Sequence, residues 1–286
     1  MIKKTLTILT KRQYTIQASY YFNAQSPSST IIFYLHGGGL IFGQRDDLPE
    51  EYLNLLVNQG YSILCLDYLL APESNIDQIL TLLKESVSHI IRDSKTFLGQ
   101  SNPTFILMGR SAGSYLSLWL SQHLASRQIK GLILFYGYYN LNDANFLYPN
   151  HRFSHYPQVS ELILKSLIQN GPITKEDQAN RYLLYLDARQ KGTWLDRLGI
   201  SRSNIQDYSL SMQELSTMPP SLLIHSTMDP DVPYRQSVQM QQAMLNAQLI
   251  TIEGDEHDFD RTDRQKGLAI YQQVADWLQK LSKTIQ

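Results

Sequence analysis

The chain has 286 residues, 43% hydrophobic and 18% charged, an ordinary globular balance with ample material for a core. Its formal net charge of -1 leaves no field to recruit nucleic acid or an anionic membrane. No run approaches the roughly 18 apolar residues of a membrane span, and Lys11 and Arg12 interrupt the N-terminal stretch too early for a signal peptide, so a cytoplasmic protein is expected.

Residues 5–9 and 13–21 alternate apolar and polar and read as an antiparallel pair at a sheet edge. A loop around Pro27 follows. Ile31-Ile32-Phe33-Tyr34-Leu35 is a continuous apolar run, the pattern of a strand covered on both faces, and it ends in His36-Gly37-Gly38-Gly39. Helical spacing covers residues 48–59 and stops at Gly60. Residues 61–67 form the next buried strand, whose single cysteine, Cys65, reads as a buried structural thiol. After a turn at 68–73, residues 76–92 form an amphipathic helix with Ile76, Ile79, Leu80, Leu83, Val87, Ile90 and Ile91 on one face. The apolar run from Thr104 ends in Gly109-Arg110-Ser111-Ala112-Gly113, and a small-residue helical run continues to about Ala125. Strands at 131–136, 220–225 and 248–253 alternate with helices at 234–246 and 264–283. This rhythm predicts a mostly parallel sheet with helices on both faces.

Residues 140–217 break the rhythm. They are too long for an ordinary crossover and carry many aromatics, Phe146, Phe153, Tyr182, Tyr185 and Trp194 among them. With helical runs at 160–169 and 175–186, they read as an inserted helical cap, leaving 1–139 and 218–286 as the core.

Gly-x-Ser-x-Gly between a strand and a helix forces a strained tip, and glycines on either side permit close approach. Ser111 is thereby the candidate nucleophile. A serine hydroxyl needs a base within reach, and the base needs an acid to orient it. His257 is the one histidine between the last strand and the last helix; His225, at a strand end, is the alternative base. Asp229 and Asp231 follow that same strand, and Asp229 leaves it first. Asp231 is the alternative acid, or a cap of the following segment. The bare amides of the His36-Gly37-Gly38-Gly39 loop, with the amide of Ala112, are candidate donors to an oxyanion. No metal-ligand spacing and no phosphate- or dinucleotide-loop pattern is present, so neither metal nor cofactor is expected.

These pieces, with Asp67-Tyr68-Leu69-Leu70-Ala71-Pro72-Glu73, Asp229-Pro230-Asp231-Val232-Pro233 and Glu256-His257-Asp258-Phe259, resemble the α/β-hydrolase superfamily, and more narrowly its hormone-sensitive-lipase-like esterases. The resemblance spans the chain from about residue 30 to its end. It implies the α/β-hydrolase fold and a serine carboxylester hydrolase without a cofactor. It also implies Asp229 as the acid and Gly38, Gly39 and Ala112 as the oxyanion amides. Two positions depart from the pattern: Arg110 stands where an acidic residue is frequent, and Leu69 where an arginine is common.

The expected substrates are small, uncharged, short-to-medium-chain esters held by the aromatic cap. A peptidase, arylamidase or deacetylase on the same triad is the rival enzyme; it would need a carboxylate pair for a substrate amine, sought among Glu161, Glu176 and Asp177. A non-catalytic small-molecule receptor is the rival from another class. A homodimer through an edge strand or the last helix is compatible with the chain, and no other macromolecular partner is indicated.

Overall fold

The computed structural model describes residues 1–25, 27–124, 127–175 and 178–285. Its strands are β1 (Ile2–Thr10), β2 (Thr15–Phe22), β3 (Thr30–Leu35) and β4 (Ser62–Leu66), then β5 (Thr104–Arg110), β6 (Ile129–Phe135), β7 (Ser221–Ser226) and β8 (Ala247–Ile252). They form one sheet in the order β1-β2-β4-β3-β5-β6-β7-β8. β1 and β2 pair antiparallel at one edge, as the alternating pattern predicts, and β2 is antiparallel to β4. All other pairings are parallel.

The apolar runs become strands because both faces of the sheet are covered. Along β3, Ile31, Phe33 and Leu35 enter one core, while Ile32 and Tyr34 enter the other. β5 and β6 divide the same way. Helices Ile76–Arg92, Ala112–His123 and Arg235–Ala243 cover the first face; Glu50–Asn58 and Arg264–Ile285 cover the second. The Ile76–Arg92 helix starts at a capping box, in which Asn75 and Gln78 satisfy each other's amides. The helix after Ser111 ends at His123; Ala125, to which it was expected to run, lies outside the described residues.

Parallel register aligns the carboxyl ends of the central strands. Leu35 lies opposite Gly109, and Gly109 opposite Leu134. The loops after β3, β5 and β6 therefore emerge side by side, and those after β7 and β8 beside them.

Between β6 and β7 the chain forms short helices, among them Ala144–Leu147, His151–Ser154, Glu161–Leu167 and the longer Gln178–Lys191. Two ion-paired arginines attach this segment to the sheet. Arg181, 1% exposed, grips Glu73 through two bonds of 2.9 and 2.7 Å and also donates to the carbonyls of Ile41 and Ala71. Arg189 lies among Phe146, Phe153, Tyr185 and Trp194 and reaches the Asp231 carboxylate at 3.1 Å. Among the described residues no helix is long and apolar enough to cross a membrane.

Candidate active site

Ser111 leaves β5 with φ 53° and ψ -118°, a left-handed conformation costly for a residue with a Cβ. Close approach enforces it. A Cβ on Gly109 would lie 2.1 Å from the Gly113 carbonyl, and one on Gly113 would lie 2.0 Å from the Leu35 carbonyl oxygen. Only glycine at both positions lets the strand turn into the helix against β3. The Ser111 amide donates to the Phe135 carbonyl at 2.9 Å, fixing the tip to β6.

His257, from the loop after β8, places Nε2 3.0 Å from Ser111 Oγ and Nδ1 2.6 Å from Asp229 Oδ2. An imidazole so placed can accept the hydroxyl proton while the carboxylate holds its other nitrogen. Asp229 is itself immobilised. Its Oδ1 accepts the amides of Asp231 and Val232 at 2.8 and 2.9 Å, and His225 Nε2 lies 3.2 Å from its Oδ2.

His225, the alternative base, therefore sits behind the acid rather than beside the serine. Its Nε2 also faces the Val232 carbonyl at 3.0 Å, and its Nδ1 faces Ser237 Oγ at 2.7 Å. Asp231, the alternative acid, turns toward the β6–β7 segment. Tyr185 Oη is 2.7 and 2.8 Å from its two oxygens. The capping role considered for Asp231 belongs to Asp229, whose side chain accepts the next free amides.

The electrostatics follow from these contacts. Burial alone would lower the affinity of His257 for a proton, but the charge and hydrogen bond of Asp229, aided by Asp231 and Asp258, carry its pKa up to about 9. Burial alone would raise Asp229; His257 and His225 instead hold it well below the usual carboxylate range.

The loop after β3 lies against the serine. A Cβ on Gly37 would be 3.3 Å from Ser111 Cβ. Gly38 has φ +104° and Gly39 φ +59°, and a Cβ at either would strike the Phe42 carbonyl or the Tyr185 ring. Among the described residues, the amides of Gly38, Gly39 and Ala112 donate to no backbone carbonyl, so they remain free for a ligand. His36 holds the loop from below: it is fully buried, stacks on Tyr68 at 4.1 Å, and its Nδ1 lies 2.7 Å from the Gly37 carbonyl.

Ser111, His257 and the glycine loop open into a cavity of about 450 Å³. One wall is aromatic: Phe42, Phe153, Tyr182 and Tyr185. The opposite wall is polar and charged, with Gln44, Asp47, Arg110, Asp258, Arg261 and Thr262. The aromatic wall matches the expectation of aromatics over the site; the charged wall was not anticipated. Arg110, for which the sequence offers no partner, is 1% exposed and paired with Asp260 at 3.0 Å. Of the carboxylates considered for binding a substrate amine, Glu161 is exposed on its helix beside Lys165, and Glu176 and Asp177 lie outside the described residues. Among the described residues no three His, Cys, Asp or Glu side chains converge as a metal site.

With this geometry in view, the chain can be compared with known proteins. The BD-FAE family model matches residues 19–244. A protein of unknown function from Staphylococcus aureus subsp. aureus Mu50 is 29% identical, covering 97% of this chain and 99% of that one, with a TM-score of 0.87. An α/β-hydrolase superfamily protein from Enterococcus faecalis is also 29% identical over 98% of this chain and 99% of that one, with a TM-score of 0.82. An esterase from Pyrobaculum calidifontis, 19% identical over 98% of this chain and 86% of that one, shares the fold at a TM-score of 0.69. The chain thus has the α/β-hydrolase fold and belongs to the BD-FAE family.

Proposed function

We propose that the protein is a serine carboxylesterase acting on small carboxylic esters through an acyl-enzyme. The observation that carries this reading is the unbroken relay from Ser111 Oγ through His257 to Asp229, at 3.0 and 2.6 Å, opening on a cavity floored by free amides.

In this reading Ser111 Oγ attacks the ester carbonyl carbon as its proton passes to His257 Nε2. The amides of Gly38, Gly39 and Ala112 receive the charge that develops on the carbonyl oxygen. His257 then protonates the departing alcohol. Water enters, gives its proton to His257 and releases the acid, restoring Ser111. Asp229 stays ionised and orients the ring throughout. Residues 140–217 act as a cap whose Phe153, Tyr182 and Tyr185 face the substrate. The cavity's limited volume and its charged wall favour short and medium acyl chains over long lipids.

A series of p-nitrophenyl esters from acetate to palmitate, with Ser111→Ala as control, tests the proposal. Activity peaking at short chains and abolished in the variant supports it; turnover equal to that of the variant at every length would overturn it. One observation favours a second reading, hydrolysis of amine-bearing amides: Asp255, Glu256 and Asp258 line the cavity beside His257 and would attract an ammonium group. Aminoacyl p-nitroanilides cleaved faster than the matching esters would establish that reading instead.

A further inference from the structure

The residue before the nucleophile and a residue just after the histidine meet beneath the cavity. Arg110 precedes Ser111, and Asp260 follows His257 by three positions. Arg110 Nη2 is 3.0 Å from Asp260 Oδ1, and Arg110 Nε donates to Tyr136 Oη at 2.7 Å. Tyr136 Oη in turn donates to the same Asp260 oxygen at 2.8 Å. All three residues are buried. Tyr136 leaves β6 at φ 37°, and its ring lies 4.6 Å from that of His257. Phe259 meets the Tyr136 ring edge-on at 5.3 Å.

We propose that Arg110, Asp260 and Tyr136 form a positioning network that sets the separation of Ser111 and His257, an inference that rests on the serine-hydrolase reading above. The contacts close a small ring: Ser111, Arg110, the ion pair to Asp260, back along two residues to His257, and across to Ser111 Oγ. The His257 loop needs such a restraint. Residues 255 and 256 are exposed, and the tie from Ser226 Oγ to the Glu256 carbonyl lies upstream of the histidine. Tyr136 supplies the lateral restraint, its hydroxyl held by the ion pair and its ring held against the imidazole.

Stability alone is a poor explanation for this pair. Two charges removed from water gain little over well-packed apolar side chains of similar volume. What the pair adds is direction: a guanidinium offers bonds at fixed angles, and Nε and Nη2 are both used. The dependence of rate on geometry is steep, since a misplacement of about 1 Å costs about 100-fold.

The discriminating variant is Arg110→Met/Asp260→Leu, which removes both charges together, with Tyr136→Phe as a variant that deletes only the hydroxyl. Thermal midpoint, kcat and KM are measured on a soluble ester, together with the rate at which a fluorophosphonate labels Ser111. The proposal expects kcat and labelling rate to fall about 10- to 100-fold in the double variant and severalfold in Tyr136→Phe, with KM within about twofold of the parent. Arg110→Lys, which keeps the charge but not the forked geometry, is expected to recover only part of the rate. Folded variants whose kcat and labelling rate match the parent would overturn the network's role while leaving the esterase reading intact. If the double variant does not fold, Tyr136→Phe decides by the same criterion. A parent that neither labels nor turns over would remove the esterase reading and this inference with it.

Discussion

Asp229 and Asp231 lie two residues apart on one loop, yet they face different partners. Asp229 accepts from His257 and His225, whereas Asp231 accepts from Tyr185 and pairs with Arg189. Asp229→Asn is expected to lower kcat by up to about 10⁴-fold, because an amide can no longer stabilise the imidazolium or fix its tautomer. Asp231→Asn is expected to act mainly on KM and stability. Steady-state kinetics of the two variants decide the assignment, and the reverse pattern would exchange their roles. The raised pKa of His257 sets the direction of the pH dependence. The base form is lost as pH falls, so kcat/KM should climb with pH through a limb above the 6.5 of an ordinary imidazole, toward about 9. Removing the Asp229 charge should move that limb to lower pH in a full pH–rate profile. At this scale the sequence is informative where a residue is marked by its neighbours. Ser111 is marked by its flanking glycines, and His257 by its place between the last strand and the last helix. Which carboxylate faces the histidine depends on backbone direction within one turn, and composition does not encode that. The partner of Arg110 stands 150 positions away and has no local signature.

Elements hold these residues through contacts that tolerate little change. A methyl group at position 113 would meet the Leu35 carbonyl oxygen at 2.0 Å, with backbone on both sides. Gly113→Ala is therefore expected to destabilise the fold by about 3 kcal/mol or more, which denaturant unfolding would register. Helix Gln178–Lys191 depends on Arg181, whose partner Glu73 has a fully buried side chain. Arg181→Met leaves that carboxylate unpaired and is expected to cost about 3–5 kcal/mol. Arg181→Met/Glu73→Leu should recover much of the loss, and equal thermal midpoints for the single and double variants would contradict the argument. The strands and long helices of the core follow from periodicity, since each has one partner surface or two. Most helices between β6 and β7 span only a turn or two, such as Ala144–Leu147 and Trp194–Arg197. Such short pieces carry no helical period, and their placement comes from Arg181, Arg189 and the aromatic cluster around Trp194.

The whole molecule brings its site together at the carboxyl ends of the parallel strands. β3 contributes the glycine loop, β5 the serine, β7 the acid and β8 the histidine. This arrangement is legible because each of those strands is a buried run ending in a distinctive group of residues. The cavity's shape is less so. Its charged wall joins Asp47, Arg110 and Arg261, which are distant in the chain, while its aromatic wall mixes Phe42 with residues from the β6–β7 segment. Arg261 is bonded to Asp47, so much of that wall's charge is internally paired. Acyl chains longer than the cavity accommodates must project past the rim. Rates on p-nitrophenyl esters are therefore expected to decline from short or medium chains toward palmitate, and a maximum at palmitate would contradict the proposed fit.

The most direct test of the central claim is the mass of the covalent adduct formed with a fluorophosphonate. Incubation of the folded protein should give one added phosphonyl group, mapped by peptide sequencing to Ser111 and absent from Ser111→Ala. No adduct on the parent, or an adduct that persists in the variant, would contradict the assignment of Ser111 as the nucleophile.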